Sequence, residues 1–205
     1  NMDATNLQDM GGGQVALMAK EFNADNMKDL GGGKLADMAK NMDRDNFGAM
    51  GGDQLALMAK EFQGENMKEL GGGKLADMAK NMDATNFGAM GGNQLALMAK
   101  EFQGENMKEL GGGKLTDMAK NMDRDNFMDM GGDQLALMAK EFKGENMTDL
   151  GGGKLADMAK NMERGNFMEM GGDKLALMAK EFQGENMKDL GGGKLADMAK
   201  NMERG

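Results

Sequence analysis

Apolar residues recur along this chain at helical spacing, and glycine interrupts them at fixed intervals. In GGDQLALMAKEF, residues 51 to 62, Leu55, Met58, Ala59 and Phe62 fall at i, i+3, i+4 and i+7, one stripe of an α-helix. Asp53 stands just before that stripe, where an N-cap would accept the free amides of a first turn, and Asn93, Asp133 and Asp173 hold the same spot elsewhere. A second stripe, Phe47 and Met50, follows Asp43, which is expected to be its N-cap, and is stopped by the next glycines. The pattern predicts two helices of about two turns each, too short to persist alone in water. Stability has to come from contacts between adjacent repeats.

Aligned on its glycine pairs, the chain has a period of 20 residues, with repeats beginning at Gly11, Gly31, Gly51, Gly71, Gly91, Gly111, Gly131, Gly151, Gly171 and Gly191. A period of 40 lies over the first, because the seventh place alternates between Leu17, Leu57, Leu97, Leu137, Leu177 and Asp37, Asp77, Asp117, Asp157, Asp197. The expected fold is all-α: an α-solenoid of 20-residue helix-turn-helix repeats with a 40-residue super-period, a Met/Phe/Leu core and Gly-Gly turns. Residues 1 to 205 are expected to be a single tandem-repeat array with partial repeats at both ends. A leucine-rich or β-helical solenoid also has short periods, but such strands want β-branched residues, and this chain has one Val, no Ile and four Thr.

Each recurring place has a structural reading. Gly51 and Gly52 stand for the pair that allows left-handed backbone at a helix end and close approach of helices. Leu55, Met58, Phe62, Met67 and Leu70 are expected core residues. Phe and Met exchange places between alternate repeats (Phe62 with Met67, Met42 with Phe47), which looks like volume compensation. Asn66 represents an Asn kept at one phase in every complete repeat, expected to hydrogen-bond backbone and form a ladder. Lys60 represents a row expected to lie beside Glu21, Glu61 and Glu101 on a solvated face.

Composition removes most chemistry. His, Cys, Ser, Tyr and Trp are absent, so nucleophile and base systems built on them are excluded, and no catalytic residue, cofactor or small-molecule substrate is expected. The net charge of −9, with 25 basic residues interleaved among 34 acids, opposes binding to a phosphate backbone, and no apolar run is long enough to insert in a bilayer. No signal peptide is visible, and the lack of Cys is compatible with either redox compartment.

Two metal readings remain. Met38 and Met42, like Met78 and Met82, could present thioethers to Cu(I), but the apolar stripe needs filling at the same places. DRDN at 43 to 46 and 123 to 126 starts like a calcium loop, but Phe47 and Gln54 fail its fifth and twelfth ligands, and Met128 replaces the required Gly in the second copy. No specific metal ligand is therefore expected.

The glycine-punctuated LxxMAKxF and NMxxL segments resemble α-solenoid repeats in general, a resemblance that implies a scaffold. The sequence enters at NMDATN and leaves at NMERG without divergent capping repeats, which suggests a slice of a longer array or a subunit that stacks on copies of itself. The expected function is a structural fibre, filament or spacer, outside the cell or at its surface, with self-association as its interaction. The alternatives are a protein-binding solenoid using the variable thirteenth to fifteenth places, and a calcium- or copper-responsive element.

Overall fold

The computed structural model describes residues 3–202, so the outermost residues of the 1 to 205 array lie outside the described residues. Every regular element among them is helical. The chain divides into two compact units, Asn1–Phe102 and Gln103–Gly205.

The first unit holds α1 (Ala4–Met10), α2 (Gly12–Lys20), α3 (Ala24–Lys40), α4 (Arg44–Met50), α5 (Gly52–Lys60), α6 (Gly64–Lys80), α7 (Ala84–Met90) and α8 (Gly92–Lys100). The second holds α9 (Gly104–Lys120), α10 (Arg124–Met130), α11 (Gly132–Lys140), α12 (Gly144–Lys160), α13 (Arg164–Met170), α14 (Gly172–Lys180) and α15 (Gly184–Met202). The longer helices α3, α6, α9, α12 and α15 are each two limbs meeting at a non-helical glycine: Gly31, Gly71, Gly111, Gly151 or Gly191. Every 20-residue repeat thus supplies a short limb, a glycine elbow and a second limb.

The elbow is the first glycine of each pair. Its φ lies between +73° and +89° throughout, and ψ near +158° puts it in a region open essentially only to Gly. One residue serves both helices: the Gly51 N–H donates to Phe47 O at 3.3 Å, and its carbonyl accepts Leu55 N–H at 3.2 Å. Gly51 is therefore the N-cap of α5, not Asp53 as the sequence pattern suggested. Asp53 lies inside the first turn, where its charge complements the helix dipole.

The other end of each repeat is a tight turn. Glu61 N–H and Phe62 N–H donate to Met58 O and Ala59 O, both at 3.2 Å, closing α5 at Lys60. Phe62 is consequently outside the helix whose stripe it seemed to continue. With Gln63 as the N-cap of α6, Phe62 and Met67 occupy N′ and N4, the two places joined in a hydrophobic staple. Met42 and Phe47 take the same two places around Asp43. All four side chains are buried, which explains why Phe and Met trade places instead of doubling.

Within each unit the limbs form an α-solenoid. Counting bent helices as two limbs, each limb packs on the third one further along the chain: α2 on α4, the second limb of α3 on the first of α6, and α5 on α7 in the first unit. Equivalent pairs in the second unit are α11 with α13, and the second limb of α12 with the first of α15. A layer is three limbs, whereas a repeat is two. Contacts expected between adjacent repeats are in fact joined by contacts one and a half repeats apart, and every second-type limb lies on a first-type limb. The core between them is Leu55, Ala56, Met58 and Ala59 with their counterparts in the inner repeats, such as Leu95, Ala96, Met98 and Ala99, all nearly inaccessible. Burying one Leu or Met side chain contributes about 1.5–3 kcal/mol, so the layers rather than the isolated limbs hold the fold.

Candidate functional site

The most constructed feature of the molecule is the seam between layers. Its steric basis is the second glycine of each pair. A Cβ on Gly52 would lie 2.0 Å from Asn86 Oδ1 and 2.8 Å from Asn81 O, and one on Gly32 would lie 2.3 Å from Glu61 O. These distances leave no room for any side chain. The third glycine, as at Gly33, Gly73, Gly113 and Gly153, has nothing within 4 Å, which is why Asp53, Asn93, Asp133 and Asp173 can stand at that place.

Against the second glycine sits the Asn of the layer above. Asn66 Oδ1 accepts the N–H of its own N-cap residue, Gln63, at 2.9 Å, and all ten equivalent bonds lie between 2.7 and 3.1 Å. Where the cap is Asp or Asn the bond is reciprocated, as in Asn46 N–H to Asp43 Oδ1 at 2.9 Å. Lys143 keeps only the Asn arm, because an ammonium has no acceptor to return. The Asn amide also reaches across the seam: Asn86 Nδ2 donates to Asp53 Oδ1 at 2.7 Å and Asn166 Nδ2 to Asp133 Oδ1 at 2.6 Å. Asp53 thus serves the next layer instead of capping its own helix.

A third set of residues carries no expectation from the sequence. The fourth place of each repeat is always Gln or Lys, and at six of these places the side chain reaches the carbonyl end of the limb below. Gln54 Nε2 donates to Lys20 O at 2.7 Å, and Gln94 Nε2 to Phe62 O at 3.0 Å and to Lys60 O. Lys74, Lys154, Lys174 and Lys194 donate through Nζ to Met42 O, Met122 O, Phe142 O and Met162 O. Lys154 also stands over the Phe127 ring, 5.9 Å from its centroid. The last carbonyls of a helix have no partner within it, so these clasps satisfy one layer from the next. The signal was visible: no apolar or acidic residue ever occupies that place.

The remaining sequence-predicted residues sit around this seam. Leu55, Met58, Phe62, Met67 and Leu70 are buried, whereas the Lys60 side chain is exposed and its carbonyl takes part in the clasp. In the Lys row, Lys40 Nζ meets Glu69 Oε2 at 2.8 Å, 29 residues on, with Lys120 and Asp149 at 2.5 Å and Lys160 with Asp189 as its counterparts. The Glu69 carboxylate raises the Lys40 ammonium above its usual value, and the hydrogen bond from Lys160 holds Asp189 below its own.

A cleft of about 520 Å³ opens on the seam of the second unit, lined among others by Met130, Asp133, Leu137, Glu163 and Asn166. Its acids are engaged in or beside the Asn network. Among the described residues, no three or more His, Cys, Asp or Glu side chains converge as a metal-ligand set, and no helix is long and apolar enough to cross a membrane. Compared with family models, curated proteins and solved structures, the chain matches none of them.

Proposed function

We propose that the chain is a structural array, a fibre or spacer segment whose interaction partner is a second copy of itself. One observation carries this reading: each layer offers side-chain donors on one face and carbonyls at or just past the helix ends on the other, as in Gln54 over Lys20 and Lys174 over Phe142. The two faces are complementary and differ from each other. A heterologous contact of that kind need not close on itself and so can propagate. Winding three limbs per layer against two per repeat also sends the variable thirteenth to fifteenth places of successive repeats to different sides. A protein-binding solenoid would gather them on one. Binding of substrate, cofactor or nucleic acid has no role in this function.

Negative-stain electron microscopy and light scattering over a wide concentration range test the proposal. Rods that lengthen with concentration are the expected result. Particles that stay monomeric at every concentration overturn it.

A further inference from the structure

At the eighteenth place of alternate repeats the first unit has Gly48 and Gly88, and the second unit has Met128 and Met168. Met128 is 62% exposed on α10 and Met168 56% exposed on α13. Core packing does not explain them, because Phe127, Met130, Phe167 and Met170 on the same helices are the residues that fill the interior. Most other thioethers, including Met118, Met122, Met138, Met147, Met158 and Met162, are essentially inaccessible. The second unit therefore contains two chemically distinct classes of methionine.

The difference matters for one reaction. A thioether sulfur attacks the terminal oxygen of hydrogen peroxide, the O–O bond breaks, and after proton transfer the products are a sulfoxide and water. Sulfur loses two electrons and peroxide gains them, with no metal or further reductant. At Met128 or Met168 the new polar oxygen stays hydrated. In the core it would be buried against Leu and Phe and would disrupt packing.

We propose that Met128 and Met168 are reversible, sacrificial peroxide-reactive sites, oxidised ahead of the core and without loss of the fold. The inference rests on exposure alone and is independent of self-assembly. It is tested by adding limiting hydrogen peroxide to the full chain and following intact mass, peptide maps and far-ultraviolet circular dichroism together.

The expected result is two additions of about 16 Da at Met128 and Met168, roughly tenfold faster than at buried methionines, with Met187, 40% exposed, next and the helical signal unchanged. Methionine sulfoxide reductases then restore the starting mass. In Met128→Leu/Met168→Leu, whose substitutions are both on the surface, the early phase shrinks by those two additions. Sulfoxide spread over core methionines from the outset overturns the proposal. So does helicity lost in step with the first two additions, or an early phase of undiminished size in the double variant.

Discussion

Gly112 and Gly113 are neighbours in α9, both helical, and their replacement by Ala has opposite consequences. A Cβ on Gly112 would stand 2.4 Å from Asn146 Oδ1 and 2.5 Å from Glu141 O, so the turn at 141 to 146 has to retreat by about 0.9 Å to reach ordinary contact. Overpacking of this kind costs about 1–3 kcal/mol. Displacing Asn146 also weakens its 2.8 Å bond from Lys143 N–H, worth about 1 kcal/mol. Replacing Gly by Ala in a helix returns up to about 1 kcal/mol, leaving a net loss of about 1–3 kcal/mol.

Gly113 has nothing within 4 Å of a new Cβ, so only the gain remains, about 0.5–1 kcal/mol. Urea unfolding followed by circular dichroism reads both. With a slope of about 2 kcal/mol/M, Gly112→Ala lowers the midpoint by about 0.5–1.5 M and Gly113→Ala raises it by about 0.25–0.5 M. Midpoints moving in the same direction, or a neutral Gly112→Ala, would refute the idea that the second glycine alone sets the spacing of layers.

Other expectations follow from the same seam. Gln54 Oε1 is buried without a hydrogen-bond partner, and Lys174 shows that an ammonium suits the same place; Gln54→Lys should raise stability by about 1 kcal/mol, and a lower urea midpoint would count against it. Asp189 is held below its usual pKa, so its contribution is present above the unfolded carboxylate range near about 4 and is lost as pH falls through the lower folded value. Lys40 is raised, so its contribution is present below about 10.4 and lost as pH rises through the higher folded value; carbon-detected NMR titration with and without Lys160→Met and Glu69→Gln checks both signs. Under tension, rupture of a three-limb layer releases about 30 residues, an extension of about 100 Å, whereas a 20-residue element would release about 70 Å; single-molecule force spectroscopy showing the shorter step would contradict layered cooperativity.

Local features were legible in the sequence because their causes are local. The spacing of Leu55, Met58 and Ala59, the glycine pairs and the Asp43 cap lie within a few residues of the bonds they make. Asp53 was misread because a carboxylate ahead of an apolar run looks like a cap, yet Gly51 already begins that helix and the Asp53 partner, Asn86, is 33 residues away. Phe62 was misread for a related reason: helical spacing continues through a turn that ends the helix at Lys60. How many limbs make a layer is written in no single repeat. It emerges only from pairings such as Lys40 with Glu69 and Gln54 with Lys20, each separated by about one and a half repeats.

Three limbs to a layer and two to a repeat have a genetic consequence. Removing or doubling one limb would bring like surfaces together across the seam, with elbow against elbow and no Asn opposite the second glycine. Unequal recombination that adds or drops a 40-residue pair leaves every helix facing the kind of neighbour it had before. Length can therefore drift between alleles without any compensating point mutation.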